Sequence, residues 1–267
     1  MITVFMVAGM SSRFGGKIKQ LAKIGPNNET LIEVSVNQAI KNKKLSKIFF
    51  ITNPKTDHKF IELFGYSYKD IPIFYVQQEF NTIIRKRPWG TTGAVCSLIG
   101  HIEEPFILLN GDDLYGEETF NIGYKLLEDT KNNIIGGCQL IDTLPEEGTV
   151  NRGVIDVDNN NNNVVGMKEM LKISKKDNPE LHDKLANVNF IGLQPEILDL
   201  LNKILLSFKL EHKNDDSIEC LLTDNLNSLI KENKINMTSF IINNKIHGIT
   251  NPGDDIKLKE YLEKIES

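Results

Sequence analysis

An apolar run at residues 2–7 (Ile-Thr-Val-Phe-Met-Val) empties directly into Ala8-Gly9-Met10-Ser11-Ser12-Arg13-Phe14-Gly15-Gly16, and Lys19-Gln20-Leu21 follows. No other stretch constrains the fold as tightly. A short apolar run bounded by glycine punctuation reads as a buried strand. Loop side chains this small let backbone N–H groups come close to a bulky anion above the strand end. Arg13 can hold phosphate oxygens with its planar fork, and Lys19 adds a point charge. N–H donors, one arginine and one lysine at a strand end suit a triphosphate.

Two familiar glycine loops do not fit. The Walker pattern requires Ser or Thr after Gly-Lys, and Gly16-Lys17 is followed by Ile18. The dinucleotide fingerprint Gly-x-Gly-x-x-Gly fails at its second glycine, where Ser11 stands. A dehydrogenase is disfavoured on that spacing. The structural alternative for the loop is a tight turn with incidental charges.

Strand and helix signals alternate along the chain. After the strand at 2–7, Thr30-Leu31-Ile32-Glu33 is a capping box opening a helix to about Lys43. Strands are predicted at 48–52, 71–77 and 106–110, with a helix at 91–99. Residues 154–157 and 164–167 flank the Asn-rich stretch 158–163, a hairpin or loop by its turn chemistry, and 188–193 and 236–242 read as later strands. A closing helix is predicted at 256–265. This pattern implies an α/β fold, a mostly parallel sheet flanked by helices with a small β excursion.

At 267 residues and 40% hydrophobic content the chain can bury one substantial core, so a single domain is expected across 1–267. A net charge of −5 argues against a general nucleic-acid surface. No apolar stretch approaches the length of a membrane span, and residues 2–7 are too short for a signal-peptide core. Cys96, Cys138 and Cys220 are far apart and form neither a metal pattern nor a disulfide framework. A reducing, cytoplasmic compartment is expected.

In an open parallel sheet, ligands bind over the carboxyl ends of the strands. After the strand at 71–77 come Gln78, Arg85, Arg87 and Pro88-Trp89-Gly90-Thr91-Thr92-Gly93. Gln78 offers donor and acceptor edges for a base, and the small residues allow close backbone approach. After 106–110 comes Gly111-Asp112-Asp113-Leu114-Tyr115-Gly116. Paired carboxylates near a phosphate loop suit Mg²⁺. Either aspartate could instead cap the next turn.

With these segments in place, the sequence resembles the sugar-1-phosphate nucleotidylyltransferases, in a bacterial-type branch. The resemblance rests on Ala8-Gly9-Met10-Ser11-Ser12-Arg13 with Lys19-Gln20-Leu21, on Gly111-Asp112, and on Arg87-Pro88-Trp89-Gly90-Thr91. It continues through Gly148-Thr149-Val150-Asn151-Arg152-Gly153 and Gly248-Ile249-Thr250 to Asp254, and so covers nearly the whole chain.

The resemblance implies a nucleotide half at about 1–120 and a sugar half at about 121–267. It implies that Arg13 and Lys19 are catalytic cations and that Ala8, Gly9, Gln78, Gly90 and Thr91 bind the nucleotide. Gly153, Glu169 and Asn189 would bind the sugar, and Asp112 would hold Mg²⁺. The second metal ligand falls on Asn251 or Asp254, the latter equally suited to start the last helix. Glu169 could be an exposed strand residue and Asn189 a loop residue.

The implied reaction joins a nucleoside triphosphate, UTP favoured, to glucose- or N-acetylglucosamine-1-phosphate and releases pyrophosphate. Ending at Ser267, the chain is not expected to carry the β-helix of acetyl-transferring relatives. The alternatives are a cytidylyltransferase acting on a non-sugar phosphate such as phosphocholine, and a non-catalytic nucleotide-binding homologue.

Overall fold

The computed structural model describes residues 1–9, 18–145, 147–181, 183–249 and 253–266, the side chains of 265 and 266 excepted. The first half runs β1 (Ile2–Met6), α1 (Leu31–Ile40), β2 (Lys47–Thr52), α2 (Asp57–Phe64), β3 (Ser67–Tyr68), β4 (Ile71–Gln77), α3 (Gly90–Cys96), β5 (Phe106–Asn110), β6 (Asp113–Leu114) and α4 (Glu117–Thr130). The second runs β7 (Asn133–Gln139), α5 (Leu140–Thr143), β8 (Val150–Asp158), β9 (Asn163–Ile173), β10 (Leu185–Leu193), α6 (Ile197–Glu211), α7 (Leu222–Lys231), β11 (Met237–Ile241), β12 (His247–Gly248) and α8 (Asp254–Glu266). These form two compact units interleaved in sequence. The first comprises Met1–Glu79, Leu108–Tyr124 and Asn244–Ser267; the second comprises Phe80–Ile107 and Lys125–Asn243.

In the first unit the strand order is β3-β4-β2-β1-β5. β1 pairs with β2, and β2 with β4, in parallel. β1 is buried along Ile2, Thr3, Val4 and Phe5, as a strand covered on both faces must be. Phe50 of β2 gathers the aromatic core. Its ring lies 5.6 Å from Phe5, 5.1 Å from Phe64 and 5.7 Å from Tyr75. The capping box is present: Thr30 Oγ1 accepts from the Glu33 N–H, and the Thr30 N–H donates to Glu33 Oε2 at 2.8 Å. Leu31, Ile32, Val36 and Ala39 form the buried stripe of α1. The helix ends at Ile40, before the lysine-rich turn in which Asn42 N donates to Ala39 O. Leu258 and Leu262 of α8 pack with Ile24, Leu31, Leu114 and Ile249, which seats the β6–β12 ribbon.

In the second unit the order is β10-β7-β11-β9-β8, and β8 pairs back onto β10. Only β7–β11 is a parallel ladder here; β8–β9, β7–β10, β8–β10 and β9–β11 are antiparallel. The parallel order expected from the sequence therefore stops short of this unit, because a tight hairpin such as the one joining β8 to β9 permits antiparallel pairing only. Beneath that hairpin lie Leu140, Leu144, Val154, Ile173, Leu181 and Ala186. Among the described residues no helix is long and apolar enough to cross a membrane.

Candidate functional site

The first unit builds its site where β1 and β5 end. Val7 is tied to β2 through its N–H to Ile51 O at 2.9 Å, and Ala8 is buried. Gly9 is exposed, and among the described residues a Cβ built on it would meet nothing within 4 Å. Gly111 closes the other side. Its N–H donates to Met6 O at 3.1 Å, and any side chain on it would run into Val7 Cγ1. Asp112 follows at once, ion-paired through Oδ2 to Lys19 Nζ. Lys19 stands in a short 3-10 turn, Lys19–Leu21, whose Gln20 is buried, its Oε1 without a hydrogen-bond partner among the described residues.

The two adjacent aspartates have different surroundings. Asp113 Oδ2 accepts from Asn110 Nδ2 at 3.0 Å, and its main chain pairs with Gly248. Burial first, then the charge of Asp112, holds its carboxyl well above the usual carboxylate range. Asp113 thus belongs to the hairpin's own bonding, while Asp112 presents its charge to a cation. The ammonium against Asp112 marks a position where positive charge is stabilised, and Mg²⁺ is commonly held by one or two carboxylates plus substrate phosphates. The residues present fit that ion. Among the described residues there is no cluster of three or more His, Cys, Asp or Glu ligands. Arg13 and Asn251 lie outside the described residues. Asp254 begins α8.

Gln78 follows β4, buried, with its N–H donating to Thr52 O at 2.9 Å. A neighbouring network escaped the sequence reading. Asn53 Nδ2 donates to Ala8 O at 2.8 Å, and Asp57 accepts from Thr52 Oγ1 at 2.6 Å and Gln77 Nε2 at 3.0 Å. Only the position of Asn53, directly after a strand, could have signalled it.

In the second unit, Gly90 adopts φ +80°, and a Cβ there would sit 2.6 Å from Cys220 O. Glycine is required on both counts. The Thr91 hydroxyl accepts the Leu222 N–H at 2.8 Å, and Thr92 N donates to Cys220 O at 3.0 Å. This turn is thus built against the start of α7. Arg85 locks the preceding loop. Its guanidinium donates to Arg87 O, Asp215 O and Ile218 O and stacks 3.4 Å over the Trp89 ring.

Gly153 and Glu169 are direct cross-strand partners in β8 and β9. A Cβ at Gly153 would lie 3.2 Å from Asn187 Cβ and 3.6 Å from Glu169 Oε2, so backbone, carboxylate and amide share one patch. Glu169 is exposed. Asn189 sits in a bulge of β10 at φ +58°, its N–H held by Asn187 Oδ1 at 2.8 Å. The antiparallel β8–β10 register, Leu185 opposite Ile155 and Ala186 opposite Val154, brings Asn187, which the sequence reading passed over, beside Gly153. A carboxylate and two amides over a bare backbone can accept from and donate to hydroxyls.

No family model matches the chain. It is 32% identical over 147 residues to the bifunctional protein GlmU of Methanococcus aeolicus, which is 55% of this chain and 29% of that protein. The chain thus spans under a third of the curated relative it matches. Its fold matches that of a UDP-glucose pyrophosphorylase complexed with UDP-glucose at a TM-score of 0.70 and 17% identity, covering 99% of this chain and 98% of that one. A protein from Bacillus anthracis assigned as a glucose-1-phosphate thymidylyltransferase gives 0.72 and 11%, over 98% and 95%. The inositol-1-phosphate CTP transferase from T. maritima gives 0.65 and 13%, over 100% and 96%. Over nearly its whole length the chain carries the nucleotide-diphospho-sugar transferase fold of these solved structures.

Proposed function

We propose that this chain transfers a nucleotidyl group from a nucleoside triphosphate, UTP by preference, to glucose- or N-acetylglucosamine-1-phosphate. The observation that carries the reading is the Lys19–Asp112 pair directly after Gly111, whose N–H is bonded to Met6 O at the end of β1. A phosphate oxygen of the sugar phosphate attacks the α-phosphorus in line. The bond from that phosphorus to the bridging oxygen breaks, and pyrophosphate leaves with its electron pair. Both reactants are anions, so the protein's work is to hold the geometry and offset charge. Lys19 sits against phosphate oxygens, and Arg13 is assigned to the departing pyrophosphate. Ala8, Gly9, Gln78, Gly90 and Thr91 are assigned to the nucleotide; Gly153, Glu169 and Asn189, with Asn187, to the sugar. Mg²⁺, when bound, neutralises phosphate charge, held by Asp112 with Asn251 or Asp254 as the second ligand.

The same reading treats 1–267 as one nucleotidyltransferase domain, with nucleotide binding drawn mainly from about 1–120 and sugar binding from about 121–267. It gives the chain no nucleic-acid or membrane partner and a cytoplasmic setting. Pyrophosphate release is the test, run with UTP, dTTP, CTP and GTP against glucose-1-phosphate, N-acetylglucosamine-1-phosphate, inositol-1-phosphate and phosphocholine. UTP with a sugar phosphate is the expected pair. CTP with a non-sugar phosphate would replace that substrate assignment, and silence in every pairing would replace catalysis with binding.

A further inference from the structure

We infer that Asn53 is a positioning residue for the triphosphate loop, a role that rests on the nucleotidyl-transfer reading. Three strands of the first unit, β1, β2 and β4, end side by side in parallel register, and Asn53 stands immediately after the middle one. Its Nδ2 donates to Ala8 O at 2.8 Å. That carbonyl is the last buried main-chain group before Gly9 and the glycine-rich loop. On its other edge, Asn53 Oδ1 accepts from Lys55 N at 2.9 Å and Thr56 N at 3.1 Å, ordering the turn into α2. One planar amide therefore fastens the root of the loop to the start of a helix.

The fastening extends to the base side. Asp57, the first residue of α2, accepts from Thr52 Oγ1 at 2.6 Å and from Gln77 Nε2 at 3.0 Å. Gln77 immediately precedes Gln78, whose N–H returns to Thr52 O at 2.9 Å. With the Asp57 N–H donating to Asn53 O at 3.0 Å, Ala8, Asn53, Asp57 and Gln77 form a continuous chain of hydrogen bonds that ends one residue before Gln78, the residue assigned to the base. Asn53 touches neither reactant; it sets where Gly9 begins. A loop whose root is held in one geometry before the ligand arrives binds without an ordering cost at that point.

Asn53→Ser separates this role from a purely structural one. A serine oxygen still accepts from the turn N–H groups, as short hydroxyl side chains do at helix starts, but is too short to reach Ala8 O. The variant adds no charge beside the loop. Binding of UTP is read by calorimetry, and steady-state kinetics are run with UTP and glucose-1-phosphate. Asn53→Ser should weaken UTP binding and raise its KM about tenfold. The KM for glucose-1-phosphate and the melting temperature should stay close to those of the unaltered protein. Asn53→Ala should lose the same UTP affinity and melt lower, because the turn is released as well. Unchanged UTP affinity in Asn53→Ser, or equal losses for both substrates, would overturn the role. An unaltered protein that binds UTP and fails to release pyrophosphate leaves the UTP arm decisive for Asn53 while rejecting catalysis; one that binds no nucleoside triphosphate rejects both.

Discussion

Lys19 Nζ rests against Asp112 Oδ2, whereas Asp113, the next residue, is bonded to Asn110. Two adjacent carboxylates of one chemical type are thereby given different work. Asp112→Asn should lose turnover by a factor of about 10² to 10³, the usual effect of removing one electrostatic contact from a preorganised site. Asp113→Asn should keep most of it, since an amide oxygen can still accept from Asn110. Pyrophosphate release at varied Mg²⁺, with circular dichroism to confirm folding, decides the matter. Equal losses would assign both carboxylates to the same task.

The sugar patch yields a second expectation. Glu169→Ala should raise the KM for the sugar phosphate about tenfold, because hydroxyls left unpaired cost about 1–3 kcal/mol, and should leave the KM for UTP nearly unchanged. Asn187→Ala should act in the same direction. Steady-state kinetics with each substrate varied in turn would show it, and parallel changes in both constants would remove this patch from sugar binding.

Arg85 is expected to matter for stability. Its fork reaches three carbonyls at once and stacks on Trp89, which a lysine cannot reproduce. Arg85→Lys should lower unfolding free energy by about 2–3 kcal/mol, measured by urea denaturation. Recovery of wild-type stability by lysine would mean that charge alone suffices at this position.

His247 predicts a pH dependence. Its ring stacks on Tyr261 at 4.0 Å, its buried Nε2 has no hydrogen-bond partner among the described residues, and burial, then Lys245, lowers its pKa. The unfolded chain therefore binds this proton more readily than the folded one. Stability is fully present above about pH 6.5 and is lost as pH falls through the lower folded value. The melting temperature should drop between pH 7.5 and 5.5, and His247→Phe, which keeps the stack, should flatten that drop. Identical profiles for the two proteins would assign the dependence to other groups.

Much of the first unit was legible in the sequence. The runs at 71–77 and 106–110 coincide with β4 and β5, and Thr30 with Glu33 does form the capping box. Apolar runs that end at polar or glycine residues are read one residue at a time, so local physics suffices. What escaped depends on distance. The α7 residues that grip the Gly90 turn lie 131 and 133 positions further along the chain. The pairing that brings Asn187 beside Gly153 joins β10 to β8 across more than 30 positions of chain, which no local pattern records. The helices α2, α4, α6 and α7 were not foreseen either, since their buried faces are decided by the sheets they cover.

Helix α7 has a consequence for how such a protein could change its tastes. At its start it holds the Thr91 and Thr92 hydroxyls, and further along, Asn227 Oδ1 takes the Met167 N–H of β9, the strand that carries Glu169. One helix thus ties the Gly90 turn to the strand of Glu169, the two places that the proposed reaction assigns to nucleotide and sugar. If that assignment holds, a substitution that tilts α7 to suit a new sugar would disturb the Gly90 turn as well, so new donor and acceptor preferences should arise as matched sets of changes along α7.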